Sequence, residues 1–419
     1  MRKKSAALAR IMLSIGLLAA VSSGAACSSA QGNPSDTELG SIISSDGVVY
    51  AESKASGAQW ERRYAADGTG GTLVGALEGS DLEADYERNP KSLIEQGCDL
   101  RLTVSDDVQR TAESLLEQKK GAVVALDAET GSVLCMASSG EDGVNLATRQ
   151  TVPGSIFKTV TLASALQADT VTLDQAMEVP PSLVFEEGVI KNVVDVDYPQ
   201  IPLIDAYARS LNTVFAQVAL TTSWDSICQT ARSLGFDERV AQDIDCDASS
   251  IVGEDAMTPY YEAWSGVGLA LYGDDGIRRG PLVTPLHMAA LFGSFANGGI
   301  VYSPYCVAET VAPDGSVDSS QPQVLCEGAL DDKVREEVYR AMRLAVEEGT
   351  ASAAAVPGIE VAGKTGTAEV PTVGETGWFC GCAQSGDRKV SFAVYVENET
   401  SSVAVDLSAT LLKSCFDEG

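Results

Sequence analysis

The chain has 419 residues, enough for one large domain and a small accessory domain, and its apolar content of 45% is ordinary for a globular protein. Its 59 acidic side chains outnumber 29 basic ones, and the resulting formal charge of −30 argues against nucleic acid and other polyanions as partners. The acidity is typical of a solvated surface, with adaptation to a salty medium as the alternative.

The N-terminus has the pattern of an export signal. Basic residues at positions 2–4 precede an apolar run at 11–21, and small residues lead from there to Cys27. The apolar run is shorter than the roughly 20 residues that span a bilayer comfortably, so a cleaved signal and an uncleaved anchor both fit. Cys27 favours lipoprotein processing, although Gly24 stands where such signals usually carry Leu. Either way, we expect an extracytoplasmic protein tethered to the membrane.

Composition divides the rest of the chain into three parts. Residues 28–39 are rich in Ser, Gly, Asn and Pro near their start, which predicts a flexible linker. Residues 40–98 alternate short apolar runs with turn signals, which indicates a small region of strands and loops. We expect the main domain to cover residues 99–419.

Hydrophobic periodicity predicts the main elements of that domain in chain order. A helix opened by Ser105 and Asp106 precedes a β-hairpin of strands 121–128 and 131–138. Several helices follow between 155 and 297. The last predicted elements are a helix at 333–347, strands at 360–370, 378–383 and 389–397, and a helix at 403–415. Strands from both ends with helices between them predict one sheet covered by helices, an α/β (α+β) fold.

The ten cysteines lack the dense, regular spacing of a small disulfide scaffold, so we expect most of them to be buried thiols. Cys380 and Cys382 are two apart on a predicted strand and should lie on one face without bridging. Cys306 and Cys326 flank a predicted hairpin whose turn is at 313–315. A disulfide and two unlinked thiols fit this pair equally well.

The segment Pro153-Gly154-Ser155-Ile156-Phe157-Lys158 carries a candidate nucleophile. A helix that starts here places Ser155 in its first turn and Lys158 one turn later on the same face. A serine hydroxyl needs an adjacent base, and a lysine serves as one when burial or nearby positive charge lowers its pKa. Taken alone, the spacing favours the simpler interpretation of a capping serine and a surface lysine.

Two further motifs change that interpretation. Ser210-Leu211-Asn212 lies in a predicted loop between helices, and Lys364-Thr365-Gly366-Thr367 lies within an apolar strand. Each motif alone is weak evidence, because the first resembles a helix cap and the second a strand end. In this order, the three motifs match the signature of penicillin-binding proteins and class A β-lactamases.

The similarity to penicillin-binding proteins extends over most of the chain. Segments 99–138, 145–158 and 283–299 resemble the entry helix with the first hairpin, the lead into the nucleophile and a late helical stretch. Segment 363–370, with Trp378-Phe379, resembles the strands beside the active site. Segments 40–46 and 62–64 resemble the pedestal of monofunctional, class B members. The resemblance implies a penicillin-binding-protein/serine β-lactamase-like transpeptidase domain with a central antiparallel sheet covered by helices, plus a small N-terminal pedestal.

The resemblance also implies catalytic roles. Ser155 would attack the penultimate D-alanine carbonyl of a peptidoglycan stem peptide, and Lys158 would accept its proton. Ser210 would relay a proton to the departing D-alanine, Asn212 would orient the donor peptide, and Lys364 would add positive field near the substrate carboxylate.

Substrate binding is expected along the same strand. Thr365 and Thr367 would donate hydrogen bonds to the substrate carboxylate, with Gly366 and Trp378 lining the same side. The backbone N–H groups of Ser155 and Thr367 would hold the oxyanion, for which one donor is worth about two to three orders of magnitude in rate.

Other site types are disfavoured. His287 is the single histidine, which argues against a His-based serine triad and a two-histidine zinc site, and the cysteines lack zinc spacing. It stands where the family usually has glutamine, on a predicted helix, so we expect a structural role. The sequence has no phosphate-binding glycine loop followed by Lys and Ser or Thr. We expect neither a metal nor another cofactor.

The predicted function is peptidoglycan D,D-transpeptidation at the cell membrane, with stem peptides and β-lactam antibiotics as ligands and a glycosyltransferase of a wall-synthesis complex as partner. The alternatives are an acyl-serine hydrolase, either a D,D-carboxypeptidase or a β-lactamase, and a non-catalytic β-lactam sensor or scaffold. Departures from the family pattern are a short pedestal, a short loop at 371–376, and Thr376-Gly377 where His-Ala is common.

Overall fold

A computed structural model describes residues 36–79, 89–194, 196, 199–252, 257–273, 275–370 and 373–417. The predicted signal at 1–27, with Cys27, lies outside these residues, as does most of the predicted linker. Within the described ranges, none of the helices has the length and apolarity needed to cross a membrane.

The described chain contains both strands and helices. The strands are β1 (Ile42–Ile43), β2 (Val49–Ser56), β3 (Gln59–Tyr64), β4 (Asp99–Leu102), β5 (Gly121–Asp127), β6 (Val133–Ser139), β7 (Ala176–Glu178), β8 (Ser182–Val184), β9 (Val189–Lys191), β10 (Gln200–Pro202), β11 (Ser250–Val252), β12 (Leu271–Tyr272), β13 (Arg278–Leu282), β14 (Val301–Tyr302), β15 (Val307–Val311), β16 (Val317–Ser319), β17 (Val324–Cys326), β18 (Glu360–Val370), β19 (Gly374–Ser385) and β20 (Arg388–Glu397). The α-helices are α1 (Gly71–Glu78), α2 (Pro90–Glu95), α3 (Asp106–Leu115), α4 (Lys158–Gln167), α5 (Leu203–Ala208), α6 (Asn212–Thr222), α7 (Trp224–Ser233), α8 (Pro259–Val267), α9 (Pro285–Gly293), α10 (Asp332–Glu347) and α11 (Ser401–Phe416).

The central sheet has five antiparallel strands in the order β18-β19-β20-β5-β6. The predicted hairpin forms β5 and β6, and the three predicted C-terminal strands form β18, β19 and β20. Several predicted bounds differ from these by one or two residues, and the largest difference is at the start of β19. β19 begins at Gly374 rather than at 378, because Gly374 pairs with Val370 and Thr376 with Ala368. The connection between β18 and β19 is therefore shorter than the predicted loop at 371–376.

Both faces of this sheet are buried, and successive residues of each strand alternate between two apolar clusters. In β5, Val124 faces one cluster and Val123 the other. Helices α3 and α11 cover the second face, while α9 packs on the first and α10 packs along β18. β18 lies at the edge of the sheet, so one side of its backbone has no strand partner.

The N-terminal region contributes to a second sheet. Its six strands lie in the order β16-β15-β4-β1-β2-β3, with β1 and β4 parallel. This sheet combines strands from both sides of the boundary expected between 98 and 99. The division into a linker, a pedestal and a transpeptidase domain stays a prediction.

The described cysteines are unlinked thiols, including Cys306 and Cys326. The hairpin between them forms as expected, from β15 and β16 around a turn closed by the N–H of Ala312 and the carbonyl of Ser316. Cys380 and Cys382 are fully buried on one face of β19.

Candidate active site

The predicted nucleophile lies at the start of a helical segment. Gly154–Phe157 form a single 3-10 turn, and α4 continues directly from Lys158. Ser155 is half-buried in that turn, whereas Lys158 is fully buried. The first turn is thus 3-10 rather than α-helical, and the hydroxyl-bearing residue is the more accessible of the two.

Two glycines let this turn pack directly against β18. Gly154 has a φ of +56°, and a Cβ built on it would lie 2.4 Å from the carbonyl oxygen of Thr367. A Cβ on Gly366 would lie 2.8 Å from the carbonyl oxygen of Pro153. The absence of both side chains brings the backbone of Thr367 beside the segment that carries Ser155.

Lys158 connects the first motif with the second. Its Nζ donates to the carbonyl oxygen of Ser210 at 2.8 Å and to Oδ1 of Asn212 at 2.7 Å, and it lies 3.3 Å from Oγ of Ser210. Burial, and then the charge of Lys364, lower the pKa of Lys158 well below its usual value. A neutral amine has two N–H donors and one lone pair. The two short hydrogen bonds use the donors and leave the lone pair for a proton.

Lys364 brings the third motif to the same place. Its side chain is fully buried in β18, and its Nζ donates to the carbonyl oxygen of Thr365 at 2.9 Å. Burial lowers the pKa of Lys364 to about 7. The group is therefore close to the midpoint of its titration at neutral pH.

The loop that carries Ser210 is held from another element. Ser210 has a φ of +59°, and its N–H donates to the carbonyl of Tyr207. The side-chain amide of Asn212 donates to the carbonyl of Lys191 at 3.0 Å. Asn192 Oδ1 accepts the N–H of residue 213 at 3.0 Å, which caps the start of α6 from outside the helix.

Sequence reasoning missed Lys191 and Asn192, because the contact joins segments 21 residues apart. It also missed Thr350, whose hydroxyl lies 2.6 Å from that of Thr365. The signal that was available is that Asn192 is an amide side chain directly after a short β-prone run. Nothing in the sequence alone connected Asn192 to Thr213 or Lys191 to Asn212.

The remaining predicted binding residues differ in exposure. Thr367 is half-buried beside the 3-10 turn, whereas Gly366 is buried against that turn. Trp378 is fully buried, and its Nε1 donates to the carbonyl of Val152 at 3.2 Å. Its indole therefore holds the segment that leads to Ser155 through this hydrogen bond. A contact between Trp378 and the substrate stays a prediction.

His287 lies within α9, away from these motifs in the chain. It is fully buried, its Nε2 lies 3.0 Å from the carbonyl oxygen of Leu234, and its ring contacts Phe236 edge-on at 5.1 Å. Burial lowers the pKa of His287 to about 4. The expected structural role fits this neutral, packed environment.

Comparison with known proteins identifies the family. The family model for the penicillin-binding protein transpeptidase domain matches residues 121–416. The chain belongs to this family, and the predicted resemblance to class B members is confirmed.

Several relatives support the same assignment. Peptidoglycan D,D-transpeptidase PbpA of Mycobacterium tuberculosis is 27% identical over 344 residues, which are 72% of this chain and 68% of PbpA. Penicillin-binding protein PbpB of Mycolicibacterium smegmatis is 25% identical over 361 residues, 77% of this chain and 53% of PbpB. The chain thus spans about half the length of one curated relative and about two thirds of the other.

The fold has close structural counterparts. The D,D-transpeptidase domain of a peptidoglycan glycosyltransferase from Eggerthella lenta superposes with a TM-score of 0.81 at 29% identity, covering 91% of this chain and 99% of that one. Penicillin-binding protein A of Mycobacterium tuberculosis, in an imipenem acyl-enzyme complex, gives a TM-score of 0.74 at 23% identity and covers 90% of this chain. The predicted fold class is confirmed.

Proposed function

We propose that this protein is a serine-type peptidoglycan D,D-transpeptidase that works through an acyl-enzyme on Ser155. The observation that carries the proposal is the buried Lys158, whose amine bridges Ser210 and Asn212 and has its pKa lowered well below the usual value. Relatives of this chain carry the name peptidoglycan D,D-transpeptidase.

In the first step, Oγ of Ser155 attacks the penultimate D-alanine carbonyl of the donor stem peptide. The hydroxyl proton moves to the lone pair of Lys158, and the carbonyl π bond opens to an oxyanion. The N–H groups of Ser155 and Thr367 hold that oxyanion, a role supported by the close approach of the Thr367 backbone to the 3-10 turn.

Collapse of the intermediate breaks the amide bond to the terminal D-alanine. The leaving amine takes a proton from the Ser210 hydroxyl, which is replenished from the Lys158 ammonium 3.3 Å away. An amine from a neighbouring stem then attacks the ester carbonyl. Its proton returns through the same groups, the ester bond breaks, and Ser155 regains its hydroxyl.

The substrate carboxylate is oriented by the third motif. Lys364 supplies positive charge, and the hydroxyl groups of Thr365 and Thr367 supply hydrogen bonds. The unpaired edge of β18, beside Gly366, offers backbone groups along which an extended peptide can align. Thr350 extends this row of hydroxyl groups, since the residue is exposed and its hydroxyl lies 2.6 Å from that of Thr365.

The cellular setting follows from the sequence. We place the catalytic domain outside the cytoplasmic membrane, held there by the signal or anchor at 1–27 and a linker at 28–39. Residues 40–98 then form the pedestal and 99–419 the transpeptidase domain. A separate glycosyltransferase in a wall-synthesis complex is the expected partner.

The test is intact-mass measurement of the purified protein incubated with a β-lactam. Wild type should gain the mass of one β-lactam, and peptide mapping should locate it on Ser155. Ser155→Ala should gain none while keeping its thermal melting profile, because only a hydroxyl is removed. Labelling of another serine in Ser155→Ala would overturn the assignment.

The lifetime of the adduct separates the alternatives. An adduct that persists for hours fits a transpeptidase, in which water deacylates slowly. Loss of the adduct within seconds, with release of the hydrolysed drug, would instead identify a β-lactamase. Release of D-alanine from a stem peptide without cross-linked product would identify a D,D-carboxypeptidase.

A further inference from the structure

The two lysines of the site are buried without an acidic partner. In the described part of the chain, the amine of Lys158 bonds to oxygens of Ser210 and Asn212, and that of Lys364 bonds to the carbonyl of Thr365. Within the described residues, no carboxylate pairs with either amine or contributes to its pKa. Burial without a counter-charge disfavours the protonated form of each amine, so any neighbouring group that favours the cation affects how readily a proton is taken up.

An aromatic ring lies next to each amine. Nζ of Lys158 is 5.6 Å from the ring centroid of Phe215, and Nζ of Lys364 is 5.6 Å from that of Tyr207. Both distances are within the roughly 6 Å over which a ring face attracts a cation. The two rings also contact each other, with centroids 5.9 Å apart at 56°. We call Tyr207 and Phe215 the aromatic pair.

The aromatic pair is fixed by the elements that carry the second motif. Tyr207 lies in α5, three residues before Ser210, and Phe215 lies in α6, three residues after Asn212. Both rings are fully buried. The hydroxyl of Tyr207 lies 2.8 Å from that of Thr159, the residue that follows Lys158. The rings therefore keep a fixed position relative to both amines.

We propose that the aromatic pair consists of positioning residues that support the two buried lysine cations in place of a carboxylate. This inference rests on the proposed transpeptidase function. A carboxylate would hold Lys158 permanently as an ammonium, which cannot accept the serine proton. A ring face favours the cation more weakly, so the proton can be taken up and released during each turnover.

Other titratable groups beside the aromatic pair stay neutral. The thiols of Cys380 and Cys382 lie near Tyr207. Burial raises the pKa of Cys382 to about 12, that of Cys380 well above its usual value and that of the Tyr207 phenol itself. Among the described residues beside the aromatic pair, the groups that can change protonation during turnover are therefore Lys158 and Lys364.

Removal of either ring should move a different limb of the pH profile. Lys158 acts as a base only when neutral, so its pKa sets the pH below which acylation slows. We call this part of the pH profile the acid limb. Lys364 acts as a cation, so its pKa of about 7 sets the pH above which acylation slows, the alkaline limb of the profile. Loss of a ring lowers the pKa of the lysine beside it. We expect Phe215→Leu to lower the acid limb, and Tyr207→Leu the alkaline limb, by about one pH unit each.

The experiment measures acylation by a fluorescent penicillin from about pH 5 to about pH 10. Phe215→Tyr and Tyr207→Phe keep a ring and should restore the wild-type limb positions. Tyr207→Phe also separates the ring from the hydrogen bond to Thr159. If a leucine variant does not fold, trifluorophenylalanine at the same position preserves the shape while weakening the ring's attraction for cations, and should give part of the shift.

Lysine NMR of the same proteins, with [6-13C]lysine, reads the two pKa values independently of activity. Lowered lysine pKa values in the ring variants support the inference even if wild type is not acylated, an outcome that would overturn only the transpeptidase proposal. If wild type is acylated and both limbs and both lysine pKa values stay in place in the leucine or fluorinated variants, the inference is wrong.

Discussion

Buried basic side chains have different neighbours at the five-stranded sheet and at the six-stranded sheet. Both faces of the first sheet are apolar, and the buried lysines Lys364 in β18 and Lys158 in the adjacent α4 have neutral oxygens and rings as neighbours. In the second, the buried Arg62 pairs with Glu78, with 2.8 Å from Nε to Oε1, and its Nη1 donates to the carbonyl of Gly40 at 2.7 Å.

The difference follows from what each charge must do. An ion pair fixes protonation and geometry, which suits Arg62 as a structural tie between β3 and α1. A catalytic lysine must change protonation, so a neutral environment that lowers its pKa is useful, and the cost of burial is tolerated. The comparison predicts that mutations in the first sheet mainly change acylation, and mutations in the second mainly change stability.

The largest effect should come from Lys158. Lys158→Ala removes the base and should lower the second-order rate of acylation by penicillin about 1,000-fold. Lys158→Arg is the matched variant, because it keeps a cation that cannot deprotonate at accessible pH, and it should lose a similar factor. Substantial acylation by the arginine variant would mean that positive charge, rather than base catalysis, is what Lys158 supplies.

A smaller loss of acylation should follow from separating the 3-10 turn and β18. In Gly154→Ala, the added Cβ would lie 2.4 Å from the carbonyl oxygen of Thr367, so the nucleophile must shift relative to the strand. We expect acylation to fall about 100-fold, as for a displacement of about 1 Å at a reacting group.

Gly386→Ala is the matched control for this change. Gly386 has a φ of +58°, close to the +56° of Gly154, but a Cβ there meets no atom within 4 Å. Alanine at either position introduces similar backbone strain, which should lower the free energy of unfolding by about 1–3 kcal/mol. Thermal unfolding measures this loss. Equal acylation rates in the two variants would show that the close contact with Thr367 is unimportant.

Local sequence patterns predicted much of this region. The bounds of β18 were predicted at 360–370 as found, because the residues around Lys364 have the pattern of a strand. The order of the three motifs predicted the family, and the structure brings Lys158 together with Ser210 and Asn212.

What the sequence did not predict depends on contacts between distant segments. The cap from Asn192 onto α6 and the contact of Gly366 with the carbonyl of Pro153 leave no periodic pattern. Phe215 and Tyr207 each look like ordinary core residues of a helix until the two lysines are placed beside them. Packing, rather than local propensity, decides these positions.

In the six-stranded sheet, Arg62→Met should lower the free energy of unfolding by about 3 kcal/mol, because it leaves Glu78 and the carbonyl of Gly40 without their buried partner. Urea unfolding measures this effect, and acylation by penicillin should stay within about twofold. Lys54→Met, in the exposed pair with Glu52, should cost about 0.5 kcal/mol or less. A large loss of acylation in Arg62→Met would show that the two sheets are energetically coupled.

The smallest effect on stability should come from His287, and this effect appears only at acidic pH. Burial lowers its pKa from 6.5 to about 4 in the folded protein. Its neutral form therefore contributes stability that is complete above about pH 6.5 and is lost as the pH falls towards 4. His287→Gln keeps an N–H for the carbonyl of Leu234 and cannot be protonated. We expect this variant to be about 1–2 kcal/mol less acid-sensitive than wild type at about pH 5 and similar at neutral pH.

Because His287 is the single histidine of the chain, its imidazole signals in NMR spectra of the untagged protein report its pKa directly. A midpoint near 4 would agree with a neutral ring held between Phe236 and the carbonyl of Leu234. A midpoint near 6.5 would mean that water reaches the ring, and the acid sensitivity of the protein would then belong to its carboxylates instead.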